Sequence, residues 1–220
     1  MSQSSFSNRA NAGMLSNDIS SSLPWPICTI DFEASSLDVG NFPIEVGLAM
    51  WRAPDEPIYC WSTLLRPTDE WQRTGHWSKA SQAVHGIKQD DLRLGVSPRY
   101  AALVLNHVLR PTGVVFCDGG AFDRHWAQML FKAAKMAPAF GLGDFETLES
   151  YLDAESAARI RAWTDGAEIA HRAGADAVGL LRGLAAALQV ADVVICELAQ
   201  IMPEIADQDA LESSQTPLAD

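Results

Sequence analysis

The segment Ile27-Cys28-Thr29-Ile30-Asp31-Phe32-Glu33 limits what this chain can fold into more than any other stretch. Apolar and β-branched residues lead into two carboxylates separated by one residue, and that composition suits a strand. Side chains on a strand alternate with a period of two, so Asp31 and Glu33 project from the same face. Paired carboxylates repel, and each raises the other's pKa unless a cation sits between them. A solvated edge strand with two surface acids has the same pattern, so the pair alone decides nothing about function.

The segments that follow predict the partners of this strand. Pro43 to Trp51 alternates, with Ile44, Val46, Leu48 and Met50 on one face, and reads as a second strand. Pro54-Asp55-Glu56-Pro57 is a turn, and Ile58 to Leu65 is a third strand ended by Arg66-Pro67. Three strands with short connections predict an antiparallel meander. Thr68 to Gly86 reads as irregular and aromatic, with one helical turn at Gln89 to Leu92. Ser97-Pro98 is a helix start, with Ser97 as N-cap and Pro98 in the first turn, and Pro111 closes that helix. Gly113 to Cys117 is a short buried strand, and Asp118-Gly119-Gly120 turns the chain into a helix from about Phe122 to Met136. Pro138 to Gly143 reads as a loop, and Asp144 to Leu148 as a short strand or a helix lead-in. Ser150 to Trp163 and Ala175 to Gln189 read as helices. Strands, then helix, strand and helix, describe an α/β layered domain with a mixed sheet.

The 220 residues suit one domain with tails, expected at 25–190. Residues 1–24 hold eight serines and predict a disordered tail. Residues 191–220 form an acidic extension, apolar enough to dock as a helix up to about residue 206 and disordered beyond. No apolar run reaches the roughly 18 residues that span a bilayer, and the Ser-rich start has no signal-peptide core, so a cytoplasmic protein away from membranes is expected. Cys28, Cys60, Cys117 and Cys196 form no CxxC pair, which predicts reduced thiols and no zinc site.

The net charge of −12 speaks against a long basic nucleic-acid footprint. Seven acids and no Lys or Arg lie beyond Arg182, however, and removing them leaves a surplus of five negatives. Four acidic metal ligands offset by two divalent cations bring that body close to neutral. Such a surface still suits a short strand end whose phosphates are held mainly by metal.

Asp123 follows the short buried strand and the Gly-Gly turn, at a helix start, where a plain first-turn role also fits an acid. His171 and Asp176 are five residues apart, about 140° around a helix, so they cannot share a helical face. For both to serve one site, His171 must lie on the lead-in, with Asp176 in the first turns. An exposed His beside Arg172 is the plainer alternative. Together, Asp31, Glu33, Asp123 and Asp176 offer hard oxygen ligands of the kind Mg²⁺ or Mn²⁺ prefers. Two such ions about 4 Å apart can hold both oxygens of a phosphoryl displacement, and a neutral His can take the proton of the attacking water.

The order Asp31-Phe32-Glu33, Phe122-Asp123, His171-Arg172-Ala173-Gly174-Ala175-Asp176 resembles the DnaQ-like DEDDh 3′–5′ exonucleases. HxAxxD after DxE is the specific part of the match; DxE alone is weak. The resemblance spans about residues 27–189, including Pro43-Ile44-Glu45-Val46-Gly47 and Val84-His85-Gly86-Ile87. It implies a ribonuclease-H-like fold, two divalent cations (Mg²⁺ or Mn²⁺) and release of nucleoside monophosphates from the 3′ end of single-stranded DNA or short RNA. It implies metal ligation by Asp31, Glu33, Asp123 and Asp176, with His171 as general base. Substrate contacts would come from Ala34, Leu37 and Phe122. Two departures are visible: Ala34-Ser35-Ser36-Leu37 stands where many members have Thr-Thr-Gly-Leu, and Gly119 stands where Asn is frequent.

Several other residues invite a functional reading, and a structural one is expected for each. Asp144-Phe145-Glu146 repeats the first motif without a strand leading in and reads as peripheral. His85 is expected to order its loop, Trp71 and Trp77 to pack, and Glu45 to lie on the surface. A non-catalytic binding module of the same fold and a ribonuclease-H-class endonuclease are the rival functions. The choice of DNA or RNA, a homodimer and a polymerase partner are left open by the sequence.

Overall fold

In the computed structural model, residues 22–167 and 169–205 are described. Most of the Ser-rich segment and the last part of the acidic extension therefore lie outside the described residues.

The meander forms as its alternation requires. Strands β1 (Ile27–Ala34), β2 (Pro43–Trp51) and β3 (Ile58–Leu64) pair antiparallel, with Asp31 opposite Gly47 and Glu33 opposite Glu45. Strand β4 (Val114–Cys117) runs parallel to β1, and β5 (Gly141–Asp144) runs parallel to β4. Strand β6 (Ile195–Glu197) runs parallel to β3. The mixed sheet has the order β5-β4-β1-β2-β3-β6.

Between β3 and β4 the chain forms α1 (Asp69–Thr74), α2 (Lys79–His85), a 3-10 segment at Gln89–Leu94, and α3 (Pro98–Leu109). Helix α4 is Ala121–Ala134, α5 is Ala154–Gly166 and α6 is Ala173–Ala187. Helices α3 and α4 bury Tyr100, Leu105, Trp126 and Leu130 against Ile30, Val46 and Leu48 on one sheet face. Helices α5 and α6 bury Ile160, Leu181 and Leu184 against Ile27, Ala49 and Trp51 on the other. The result is a three-layer α/β/α domain, the architecture expected of a sheet covered on both faces.

The structure corrects several expectations. The stretch from Thr68 to Gly86 is not irregular: Thr68 and Ser78 cap two short helices by accepting the N–H groups of Trp71 and Ser81. Trp71 packs on Phe42 with ring centroids 5.7 Å apart, as a packing role predicts. Of the two readings for Asp144 to Leu148 the helical one holds, as a 3-10 segment at Phe145–Tyr151, while Gly141–Asp144, expected as loop up to Gly143, forms a strand paired with Val114 to Cys117. The segment after α6 docks as a strand and not as a helix. Ile195 to Glu197 pair with Ile58 to Cys60, and the chain ends its described course where Tyr100 donates to the carbonyl of Ile205. The sheet thus takes in a strand past residue 190.

Strand β2 shows one face to each helical layer, and its second face carries the small residues Gly47 and Ala49 between Glu45 and Trp51. A Cβ added at Gly47 would lie 2.1 Å from the carbonyl carbon of Ala173. Glycine at 47 is therefore what lets the first turn of α6 press its backbone onto the sheet. Thr29 adds a buried hydrogen bond to the carbonyl of Ala177, 2.7 Å long.

The backbone atom facing Gly47 cannot rotate away as a side-chain tip could. Gly47→Ala is expected to destabilise the domain by roughly 1–3 kcal/mol, read as a lower urea midpoint with an unchanged slope. An unchanged midpoint would show that α6 does not seat there.

Candidate active site

The acids of β1 face α6. The pleat that turns Ile30 and Phe32 toward α3 and α4 turns Asp31 and Glu33 to the opposite side. Asp176 lies in the first turn of α6 and reaches the same place. Ligand atoms of Asp31, Glu33 and Asp176 all lie within 4.8 Å of one another. A second group, Asp31, Asp118 and Asp123, meets the same distance and shares Asp31. The structure thus gathers all four acids named from the sequence. It adds Asp118, which the sequence offers as a rival to Asp123 but in a turn, where Asp is routine.

These acids border a cavity of about 780 Å³. Asp31, Glu33, Asp118, His171 and Asp176 line it, and it continues along α6 to Trp163 and Arg182. Asp123 does not line it. That residue is 1% exposed, and its Oδ2 accepts the Gly119 N–H at 2.9 Å. A Cβ at residue 119 would sit 2.5 Å from that oxygen. Glycine in place of a larger residue therefore lets the turn fold over its own acid.

His171 precedes α6, as its spacing from Asp176 requires, and has a left-handed backbone with φ 52°. The two oxygens of Asp176 accept the N–H groups of Ala170 at 3.0 Å and Arg172 at 3.1 Å. The peptide groups on both sides of the histidine are thus tied to one of the clustered acids.

Of the other residues named from sequence, Ala34 is buried at the end of β1, where the register shifts. Leu37 is 66% exposed on the following loop. Phe122 is exposed and stacks on Trp126, which donates to Asn41 of that same loop. Ala34, Leu37 and Phe122 flank the acids without lining the 780 Å³ cavity. Asp144 pairs with Arg124, away from both carboxylate groups, so the second Asp-Phe-Glu is peripheral. His85 is buried and accepts the Ile87 N–H through Nδ1, which orders that loop as expected.

Glu45 contradicts the expectation of surface exposure. It is 2% exposed and accepts three hydrogen bonds: Arg172 Nε at 3.0 Å, Arg172 Nη2 at 2.6 Å and Ala173 N–H at 3.0 Å. The sequence signal for its burial lay in Gly47 and Ala49, which share its face and mark a close-packed layer above.

The electrostatics follow from crowding like charges in a half-enclosed place. Burial pushes Asp31 up to about 9, and Asp123, Glu33, Asp176 and Asp118 add to the rise. Glu33 is raised to about 7 by burial and then by Asp176 and Glu45, against the opposing pull of Arg172. Asp123 is raised to about 6 by burial, against the Gly119 hydrogen bond. Burial also raises Asp118. A set of hard oxygen donors that cannot all ionise without a counter-charge fits divalent cations such as Mg²⁺.

No family model matches this chain, and no curated protein matches its sequence. Solved structures do match. One is a 3′-exonuclease with 3′-end-specific recognition of a histone mRNA stem-loop, at 15% identity and TM-score 0.55, aligned over 76% of this chain and 65% of that one. A full-length 3′-exonuclease aligns at 15% identity and TM-score 0.53, over 76% of this chain and 83% of that one. Cell-death related nuclease 4 aligns at 15% identity and TM-score 0.57, over 79% and 67%. This chain therefore spans less than two thirds of the first of them, and at these identities the likeness establishes the fold alone: a ribonuclease-H-like mixed sheet flanked by helices.

Carboxyls with raised folded pKa values keep protons that the unfolded chain loses above about pH 4. Ionising them in the fold therefore costs stability as pH rises from there to about 7 for Glu33 and about 9 for Asp31. Metal-free protein is expected to melt lower at about pH 8.5 than at about pH 6, and Asp31→Asn to remove much of that fall. Saturating Mg²⁺ or Mn²⁺ should raise the melting temperature more at the higher pH. An Asp31→Asn profile parallel to the wild type would show that Asp31 is not held protonated.

Proposed function

We propose that this chain, which has the fold of the 3′-exonucleases above, is a metal-dependent 3′–5′ exonuclease. It would act on single-stranded DNA or short RNA and release nucleoside monophosphates. One observation carries the reading: two carboxylate groups that share Asp31, each within 4.8 Å, at the mouth of a cavity that also holds His171. Exposed acids gather without a metal in many proteins. An acid that burial and four like charges raise to about 9 is harder to account for unless a cation completes the site.

In this reading Asp31 would help hold two divalent cations, Mg²⁺ or Mn²⁺, as the acid common to both carboxylate groups. Glu33 and Asp176 complete one ligand set, and Asp123 contributes to the other. When bound, such ions stabilise the attacking and leaving oxygens of an in-line phosphoryl displacement. His171 accepts the proton of the attacking water. Asp176 orients it, since its carboxylate accepts the flanking N–H groups. Ala34, Leu37 and Phe122 contact the terminal nucleotide from the side away from the cavity. Exposed Leu37 and Phe122 give that nucleotide apolar surface. The working unit is residues 25 to about 205, in a cytoplasmic protein. Among the described residues no helix is long and apolar enough to cross a membrane.

A 5′-labelled oligonucleotide incubated with the protein and Mg²⁺ or Mn²⁺ should give a ladder shortened from its 3′ end. An intact substrate in both metals would defeat the proposal, and cleavage of a circular substrate would turn it toward an endonuclease. Asp31→Ala is expected to abolish cleavage while the protein stays folded by circular dichroism. His171→Ala should slow it by about 10²–10⁴-fold. A histidine variant with the full rate would remove the general-base role.

A further inference from the structure

The Glu45–Arg172 ion pair stands beside this site without belonging to the four acids and the histidine. Its geometry is more demanding than charge balance alone needs. Glu45 sits on β2 directly opposite Glu33 on β1, with its carboxylate under the start of α6. Arg172 returns to it with two N–H groups, and the backbone of residue 173 supplies a third donor. A fork-to-carboxylate pair of this kind fixes direction as well as distance. Half of the Arg172 side chain is exposed, at 51%, while that of Glu45 is 3% exposed. The pair is thus an anchor sunk into the sheet and reaching out to the chain segment above it.

What it anchors is the residue before it. Residues 169 and 170 are exposed, and His171 has a φ of 52°, a conformation unfavourable for a residue with a Cβ. Such a conformation persists only where the surroundings hold it. Two holds are present: the Asp176 carboxylate on the N–H groups of residues 170 and 172, and Glu45 on the Arg172 side chain and the Ala173 N–H. The first comes from an acid that also faces the metal site. The second is rooted in β2, on residues outside the two carboxylate groups.

We propose that Glu45 and Arg172 are positioning residues: their ion pair holds His171 in its left-handed conformation and so sets where the imidazole can take a proton. This rests on the exonuclease reading for its catalytic meaning, while the mechanical part stands apart from it. Arg172 also reduces the repulsion that Glu33 feels from Asp176 and Glu45, so its removal acts on two neighbours at once. The test therefore has to separate action through His171 from action through Glu33.

A double-mutant cycle does so. Arg172→Ala is expected to lower kcat on a saturating oligonucleotide by about tenfold or more, with KM changed by less than about threefold. In a His171→Ala background the same change should cost little further. Losses that multiply would overturn the proposal, as would a rise in KM alone, which would make Arg172 a substrate contact. Since Glu45 is buried, Glu45→Gln is the gentler partner variant, and it should reproduce the kcat loss while the melting temperature shows a folded protein. Amide hydrogen exchange in the metal-free protein reports on the hold without any activity. The amides of residues 170 and 172 should exchange about tenfold faster or more in Arg172→Ala. Unchanged exchange overturns the proposal even if the protein proves not to be a nuclease. An inactive wild type with accelerated exchange would instead defeat the nuclease reading and keep the anchoring role.

Discussion

The first turn of α6 has to touch the backbone of β2, and the site depends on that contact. Asp31 and Glu33 are fixed by β1, but Asp176 comes from nearly the other end of the domain. It shares a 4.8 Å neighbourhood with them because Ala173 rests on Gly47 and Thr29 bonds to the carbonyl of Ala177. A side chain at residue 47 would lift the helix and carry Asp176, and the histidine before it, away from the sheet. Packing against the strand and assembly of the acids are therefore one event. A stable fold without the gathered acids would need a different seat for α6.

That seat carries an electrostatic cost of its own. It brings Asp176 toward two acids already side by side, with Glu45 opposite Glu33 on the next strand. The chain meets the cost in two ways. Glu45 is given Arg172 and a backbone N–H, and stays fully hydrogen-bonded while buried. Among the described residues Asp31 has no such partner, and burial leaves it holding its proton to about 9. The difference between the two acids separates a carboxylate neutralised within the fold from one that is left without a counter-charge there. Removing the partner of the first leaves an unpaired buried charge, whereas a cation supplies what the second lacks.

Strand periodicity and cap chemistry made most of the architecture legible. Pro43 to Trp51 forms the strand its alternation predicts, and Ser97-Pro98 starts a helix in the way its residues suggest. The acids were legible because a period of two puts Asp31 and Glu33 together, and because the five-residue spacing forces His171 off the helix that carries Asp176. Position in space beyond one element was not legible. Asp118 looks like any turn acid until β4 and β1 lie parallel and bring it beside Asp31. Glu45 looks like the polar side of an amphipathic strand, because alternation with Ile44, Val46 and Leu48 is what a half-exposed strand shows. In fact both faces of β2 are covered, so the alternation separates two cores and not core from solvent. Segments with weak local signals, β5 and β6, are strands only because a neighbour offers its edge.

The two carboxylate groups are also unequal, and the inequality follows from their supports. Asp123 is buried under the Gly119 turn and already accepts a hydrogen bond, so its carboxylate is oriented before any ligand arrives. Glu33 and Asp176 face the open cavity, with the Arg172 guanidinium close enough to ease the charge on Glu33. A cation held on the Asp123 side would meet one donor that is buried and already oriented, beside the exposed Asp118. One held on the Glu33 and Asp176 side would meet, in Asp176, a donor whose two oxygens also steady the histidine segment. Occupancy of that open side and the placement of His171 are then linked through a single carboxylate, Asp176. The fixed support from β2 through Glu45 and Arg172 keeps this linkage from becoming mere slack, because the histidine segment stays held while Asp176 shares its oxygens.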